Sequence, residues 1–174
     1  QGGRLFQKSE KDLRRLRAGL IDRLISGKGE ALSLSVLREA YYLSVEPGIF
    51  QAVWLKLDGP RTAFTEAGLQ TIMEKADSIL ESSLRPKCAE IVFGRAGSSC
   101  VGFLNYRPGR KEEVRKGLKD CLNQLRSQQA LYGPAQFSLA VGRAAAVPEE
   151  LKLSVYEASV IIKERLVKGS GRIL

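Results

Sequence analysis

The stretch "FGRAGSSCVGFLNY", from Phe93 to Tyr106, decides the fold. Apolar residues flank a Gly-Ser-Ser tip, which predicts two strands, Ala89–Phe93 and Val101–Tyr106, joined by a tight turn. The stretch contains no aspartate or glutamate. The tip of the predicted hairpin therefore has no carboxylate of its own for acid–base or metal chemistry.

The segments around this hairpin predict a regular order of strands and helices. In chain order they are a strand over Ile49–Leu57, a helix over 65–83 capped by Thr65, the two hairpin strands, a helix after "RPGRKEE", a strand over Phe137–Val141 and a closing helix opened by Pro148. The order β-α-β-β-α-β is typical of an α+β, ferredoxin-like fold. We expect an antiparallel sheet with helices on one face, plus two leading helices and the closing C-terminal helix.

The N-terminal region predicts a separate helical segment. Residues 1–3 are interpreted as a cloning remnant, 4–28 as a basic amphipathic linker helix, and 29–174 as the folded domain. The linker carries one apolar stripe, which consists of Leu13, Leu16, Leu20 and Leu24. Two interpretations stay open: the stripe packs on a second copy of the chain, or it folds back on the domain's own core.

Composition narrows the possible chemistry. The chain of 174 residues has no histidine, so the commonest general base and metal ligand is absent. Its three cysteines, Cys88, Cys100 and Cys121, form no close pair, which argues against a disulfide framework or a zinc site. We expect a cytoplasmic protein without a membrane span, a metal or a cofactor.

The net charge of +9 is concentrated in two regions. Residues 1–28 hold eight Lys/Arg against three acids, and residues 107–126 hold seven against three. Such regions attract nucleic acid or another anionic partner. The simpler explanation is that two amphipathic helices carry solvated basic faces.

One alternative function is single-stranded nucleic-acid binding by an RNA-recognition module. The octamer "SCVGFLNY", Ser99–Tyr106, half-matches that module's aromatic strand motif through Gly102, Phe103 and Tyr106. Phe50 and Trp54 in the first strand would add stacking side chains. This interpretation requires the aromatic residues to lie on an open face of the sheet.

A second set of segments covers more of the chain. It consists of "RLISGKGEALSLSVLREAYYLSVEPGIFQAVWLKLDG" (23–59), the hairpin (93–106), "FSLAVGRAA" (137–145) and "LKLSVYEASVIIKERLVKGSGRIL" (151–174). In order and spacing, these segments resemble the degenerate G-G-D-E-F-like domain of bacterial two-component response regulators. The resemblance implies a position between a receiver domain and an arabinose-regulator-type (AraC-type) DNA-binding domain. It also implies a role in transcription control and DNA contact only through that other domain.

The same resemblance defines a vestigial ligand site, which consists of Asp58, Arg95, Gly97, Ser98 and Ser99. Active cyclases of this family hold magnesium with acids at the end of the first strand and on the hairpin. Here Ser99 and Cys100 stand where the acidic pair is expected, and Asp58 is the acid left near the first strand. The resemblance thus implies a non-catalytic regulatory domain, with nucleotide sensing without turnover as an alternative.

Overall fold

The computed structural model describes residues 9–59, 64–131 and 133–164. These form five α-helices and one four-stranded antiparallel sheet, which confirms the α+β class. The elements are α1 (Glu10–Ser26), α2 (Leu34–Ala40), β1 (Ile49–Asp58), α3 (Glu66–Leu84), β2 (Glu90–Ala96), β3 (Ser99–Tyr106), α4 (Lys111–Ser127), β4 (Gln136–Ala145) and α5 (Leu151–Lys163). Residues 1–3 and the end of the chain after 164 lie outside the described residues.

The helix boundaries follow from capping side chains. Ser9 precedes α1 and its hydroxyl oxygen accepts a hydrogen bond from the Asp12 backbone N–H at 3.1 Å. Thr65 caps α3 in the same way through the Gly68 N–H at 3.0 Å, as predicted. Pro148 lies in a short 3₁₀ turn, so the closing helix begins at Leu151 instead. None of the described helices is both long and apolar enough to cross a membrane.

The sheet has the strand order β2-β3-β1-β4. β3 is an inner strand: it pairs with β2 on one side and with β1 on the other, where Leu55 lies opposite Cys100. Every residue of β3 is buried. The β1–β4 pairing shifts in register between Gln51 and Val53, which marks a local irregularity.

Helices cover both faces of the sheet. Cys100 and Leu104 of β3 face a core shared with α3 and α4. Val101 and Phe103, which alternate with them, face a second core shared with α1 and α5. The two helices of the β-α-β-β-α-β unit lie on one face as expected, and the leading and closing helices cover the other because its residues are also apolar.

Helix α1 folds back on its own domain through its C-terminal half. Leu20, Ile21 and Leu24 are buried in the second core. The helix comes close to β2, since a Cβ added at Gly94 would lie 3.2 Å from the Ile21 Cβ atom. Leu13 and Leu16, in the N-terminal half, are only half-buried. The four leucines therefore do not form one free stripe, and the fold-back interpretation is confirmed for Leu20 and Leu24.

Two buried polar side chains secure the segment that enters β1. The Asn105 Nδ2 donates to the Glu46 and Ile49 carbonyl oxygens at 2.9 and 3.2 Å, and its Oδ1 accepts from the Glu46 N–H. The Glu90 carboxylate accepts from the Ser44 N–H at 2.8 Å and from Arg85 at 2.7 Å. Buried polar and charged side chains are tolerated only when they are paired, as both of these are. Their hydrogen bonds hold the chain between Ser44 and Ile49 against the sheet.

The inner position of β3 predicts a strong effect of a side chain at Gly102. An added Cβ would lie 1.9 Å from the Val92 carbonyl oxygen, so Gly102→Ala should lower the free energy of unfolding by at least ~2 kcal/mol. The matched control is Gly109→Ala, where nothing lies within 4 Å and we expect a change of at most ~0.5 kcal/mol. Urea denaturation followed by the fluorescence of the single tryptophan measures both. Equal stability of the two variants would contradict the close pairing of β2 and β3.

Candidate functional site

The structure brings most of the predicted site residues to one end of the sheet. The Leu57 N–H donates to the Ser98 carbonyl oxygen at 2.9 Å, and Lys56 lies opposite Ser99. The half-buried Asp58 therefore follows directly beside the hairpin tip. Gly97 adopts a φ of 61°, in the left-handed region that glycine tolerates best.

The Ser99 side chain points into the interior of the protein and has a structural role. It is 2% exposed, and its hydroxyl oxygen accepts a hydrogen bond from the Trp54 indole Nε1–H at 3.0 Å. Trp54 packs against the core beneath α1 and α5. The Ser99 hydroxyl thus makes a structural hydrogen bond, because an indole N–H that packs against the core needs an acceptor.

Cys100 is also unsuited to chemistry. Its side chain is buried in the core beneath α3 and α4. Burial, assisted by the nearby Asp77 carboxylate, raises the pKa of the Cys100 thiol to about 12. Burial likewise raises the pKa of Cys88 and of Cys121 to about 12. All three cysteines are protonated at neutral pH and lack the thiolate that nucleophilic catalysis needs.

The structure adds one residue that the sequence did not single out. Burial and the neighbouring Glu81 raise the pKa of Asp77 in α3, and the positive charge of Arg95 partly opposes that rise. The exposed Arg95 therefore interacts electrostatically with a carboxylate from another element. Asp77 follows the buried Ala76 on α3, but only the docking of α3 on the sheet reveals its neighbour.

The donors at the tip do not fit a magnesium–nucleotide site. Magnesium prefers oxygen ligands from carboxylates together with substrate phosphates. Ser99 and Cys100 are neutral and buried, so Asp58 is the one carboxylate of the predicted site. Within 9–59, 64–131 and 133–164, no group of three or more His, Cys, Asp or Glu side chains could hold a metal ion.

Three of the four aromatic residues proposed to stack on bases are buried, and the fourth, Trp54, is half-buried with its indole N–H bonded to Ser99. Phe50 and Phe103 are 1% and 0% exposed in the core beneath α1 and α5. Tyr106 is buried on the opposite face, and its hydroxyl donates to the Gln51 Oε1 at 2.5 Å. Base stacking requires open aromatic faces. The sheet of this protein lacks the surface on which an RNA-recognition module depends.

The structural role of Ser99 can be tested by removing its hydroxyl. Ser99→Ala leaves the Trp54 indole N–H without its acceptor, so we expect a loss of about 1–3 kcal/mol in the free energy of unfolding. Ser98→Ala is the matched control because the Ser98 side chain makes no hydrogen bond within the described residues, and we expect a change below ~0.5 kcal/mol. Urea denaturation measures both. A neutral Ser99→Ala change would show that the indole finds another partner.

Comparison with known proteins adds no assignment. No protein-family model matches the chain, and no curated protein matches it at a significant level. The function is therefore argued from the arrangement of the side chains.

Proposed function

We propose that this chain is a non-catalytic regulatory domain of a cytoplasmic two-component response regulator that controls transcription. In this proposal it has the ferredoxin-like fold of the cyclase family and lies between a receiver domain and an AraC-type DNA-binding domain. The strand order β2-β3-β1-β4, with α3 and α4 on one face, supports the fold. The resemblance of the four segments supports the place among the flanking domains.

The hairpin tip carries the non-catalytic part of the proposal. In the proposal, the turn and the end of β1 correspond to the places where a cyclase carries its acids. Ser99 and Cys100, however, are buried and engaged in the two cores. One carboxylate, Asp58, beside two neutral side chains cannot offset the charge of a triphosphate and its metal. The structural use of these positions favours a scaffold that transmits a signal.

The packing of α1 suggests how a signal would pass through the domain. Leu20, Ile21 and Leu24 hold α1 against the sheet, and α1 also contacts α5. A displacement of α1 by a preceding receiver domain would therefore be felt by the helix that leads towards the C-terminus. Packed helices transmit such displacements because the interior is dense.

The first test is nucleotide turnover. With GTP and magnesium, the pure protein should form no cyclic dinucleotide above a blank without protein, since the tip lacks acidic metal ligands. Chromatography of the nucleotides measures this, with an active cyclase of the family as the positive control. Product formation that depends on this protein would contradict the proposal.

The second test addresses dimerisation through the N-terminal half of α1. Leu13 and Leu16 remain half-buried and could pack on a second copy, as regulation by receiver dimerisation requires. Light scattering should detect a dimer that Leu16→Glu converts to a monomer. Arg14→Glu, a change at an exposed position of the same turn, is the control and should leave the dimer intact. A wild-type protein that is monomeric at all concentrations would rule out this dimer.

A further inference from the structure

A second candidate site lies far from the hairpin tip, between α4 and the sheet. An open cavity of about 440 Å³ is lined there by residues of α4, β1, β3 and β4. Tyr106 lines it, and Ser99 lies seven residues away at the other end of β3, roughly 23 Å along the strand. The volume falls within the range of pockets that bind small molecules.

Three cations line this cavity. Lys111, Arg115 and Lys119 follow one another at four-residue spacing, so they lie on one side of α4 and extend about 12 Å along it. All three are exposed, and no acidic residue lines the cavity. Like charges at this spacing destabilise an isolated helix, so the arrangement is unfavourable without a compensating anion.

These three cations are among the many lysines and arginines of the described residues that make no salt bridge. Within the described residues, salt bridges involve Arg85, Arg107, Arg110 and Arg143. In contrast, Lys111, Arg115 and Lys119 have no carboxylate within 4 Å in the described part of the chain. Their neighbour Lys116 has acids at four-residue spacing on both sides, Glu112 and Asp120, and does not line the cavity.

The remaining lining residues are polar at one point and apolar elsewhere. The Gln51 amide is held by Tyr106 and by the Gly142 carbonyl oxygen, which accepts from its Nε2 at 2.8 Å. Burial raises the pKa of Tyr106 to about 12 despite the nearby positive charge of Arg115, so the phenol is neutral. Val114, Leu118 and Val141 supply the apolar contacts.

From this combination we propose that the cavity binds an organic phosphate that carries two or more phosphoryl groups. The row of cations suits charge distributed along a chain of phosphates, since lysine and arginine both bind phosphate oxygens. The apolar residues would contact the organic part, and the Gln51 amide, which lines the cavity, would orient it. This inference does not depend on the regulatory proposal, because the site shares no residue with the hairpin tip.

The experiment is calorimetry with ATP, pyrophosphate and adenosine as probes. ATP should bind most tightly, pyrophosphate less tightly, and adenosine not measurably. Arg115→Glu should weaken ATP binding by about tenfold or more, while Lys116→Glu, which changes the same charge on the same helix, should change it less than about twofold. Both positions are exposed, and circular dichroism verifies that the variants fold. Tighter binding of pyrophosphate than of ATP would instead identify a site for inorganic phosphate and overturn the organic part of the proposal.

Lysine labelling provides a second readout. ATP should protect Lys111 and Lys119 from acetic anhydride, as measured by mass spectrometry, and should leave Lys116 equally reactive. No heat and no protection at millimolar ATP would overturn the proposal. An oligonucleotide that binds more tightly than ATP and is weakened equally by both charge reversals would also overturn it, because it would identify a general basic surface.

Discussion

The structure depends on one constraint: the inner strands β1 and β3 carry apolar side chains on both faces. Val101 and Phe103 point to one side of the sheet, and Cys100 and Leu104 point to the other. Each face must be removed from water, since apolar burial is the main favourable contribution to folding. Helices α3 and α4 cover one face, and α1 and α5 cover the other. The position of the N-terminal helix is therefore a requirement of the sheet.

This constraint explains the fate of the hairpin tip. A position on β3 that faces a covered side of the sheet becomes interior, and interior positions favour neutral groups. Ser99 satisfies the Trp54 indole, and Cys100 fills space near Met73. The same covering removes Phe50 and Phe103 from any base that would stack on them. The burial of both faces of the sheet thus argues against two functions that the sequence leaves open, cyclase chemistry at the hairpin and base stacking on the sheet.

The charge of the protein is used unevenly. Arg85 is paired with Glu90 in a contact that also anchors the segment before β1. Arg95 at the tip lies near Asp77, so its charge is partly offset. Lys111, Arg115 and Lys119, which line the cavity, form no salt bridge within the described residues. The cavity between the sheet and α4 is therefore lined by positive charge without a carboxylate among its lining residues.

The sequence by itself determined the order of helices and strands, the Thr65 cap and the absence of acids from residues 93–106, because these depend on local periodicity and composition. The resemblance to the cyclase family grouped Asp58 with the turn, and the pairing of β1 with β3 brings that strand end to the hairpin. Only the tertiary structure decided that α1 packs on its own sheet, that Phe103 is covered, that Asp77 approaches Arg95 and that a cavity opens beside Arg115. Those facts arise from contacts between segments distant in sequence, and periodicity within one segment gives an apolar face without naming what covers it.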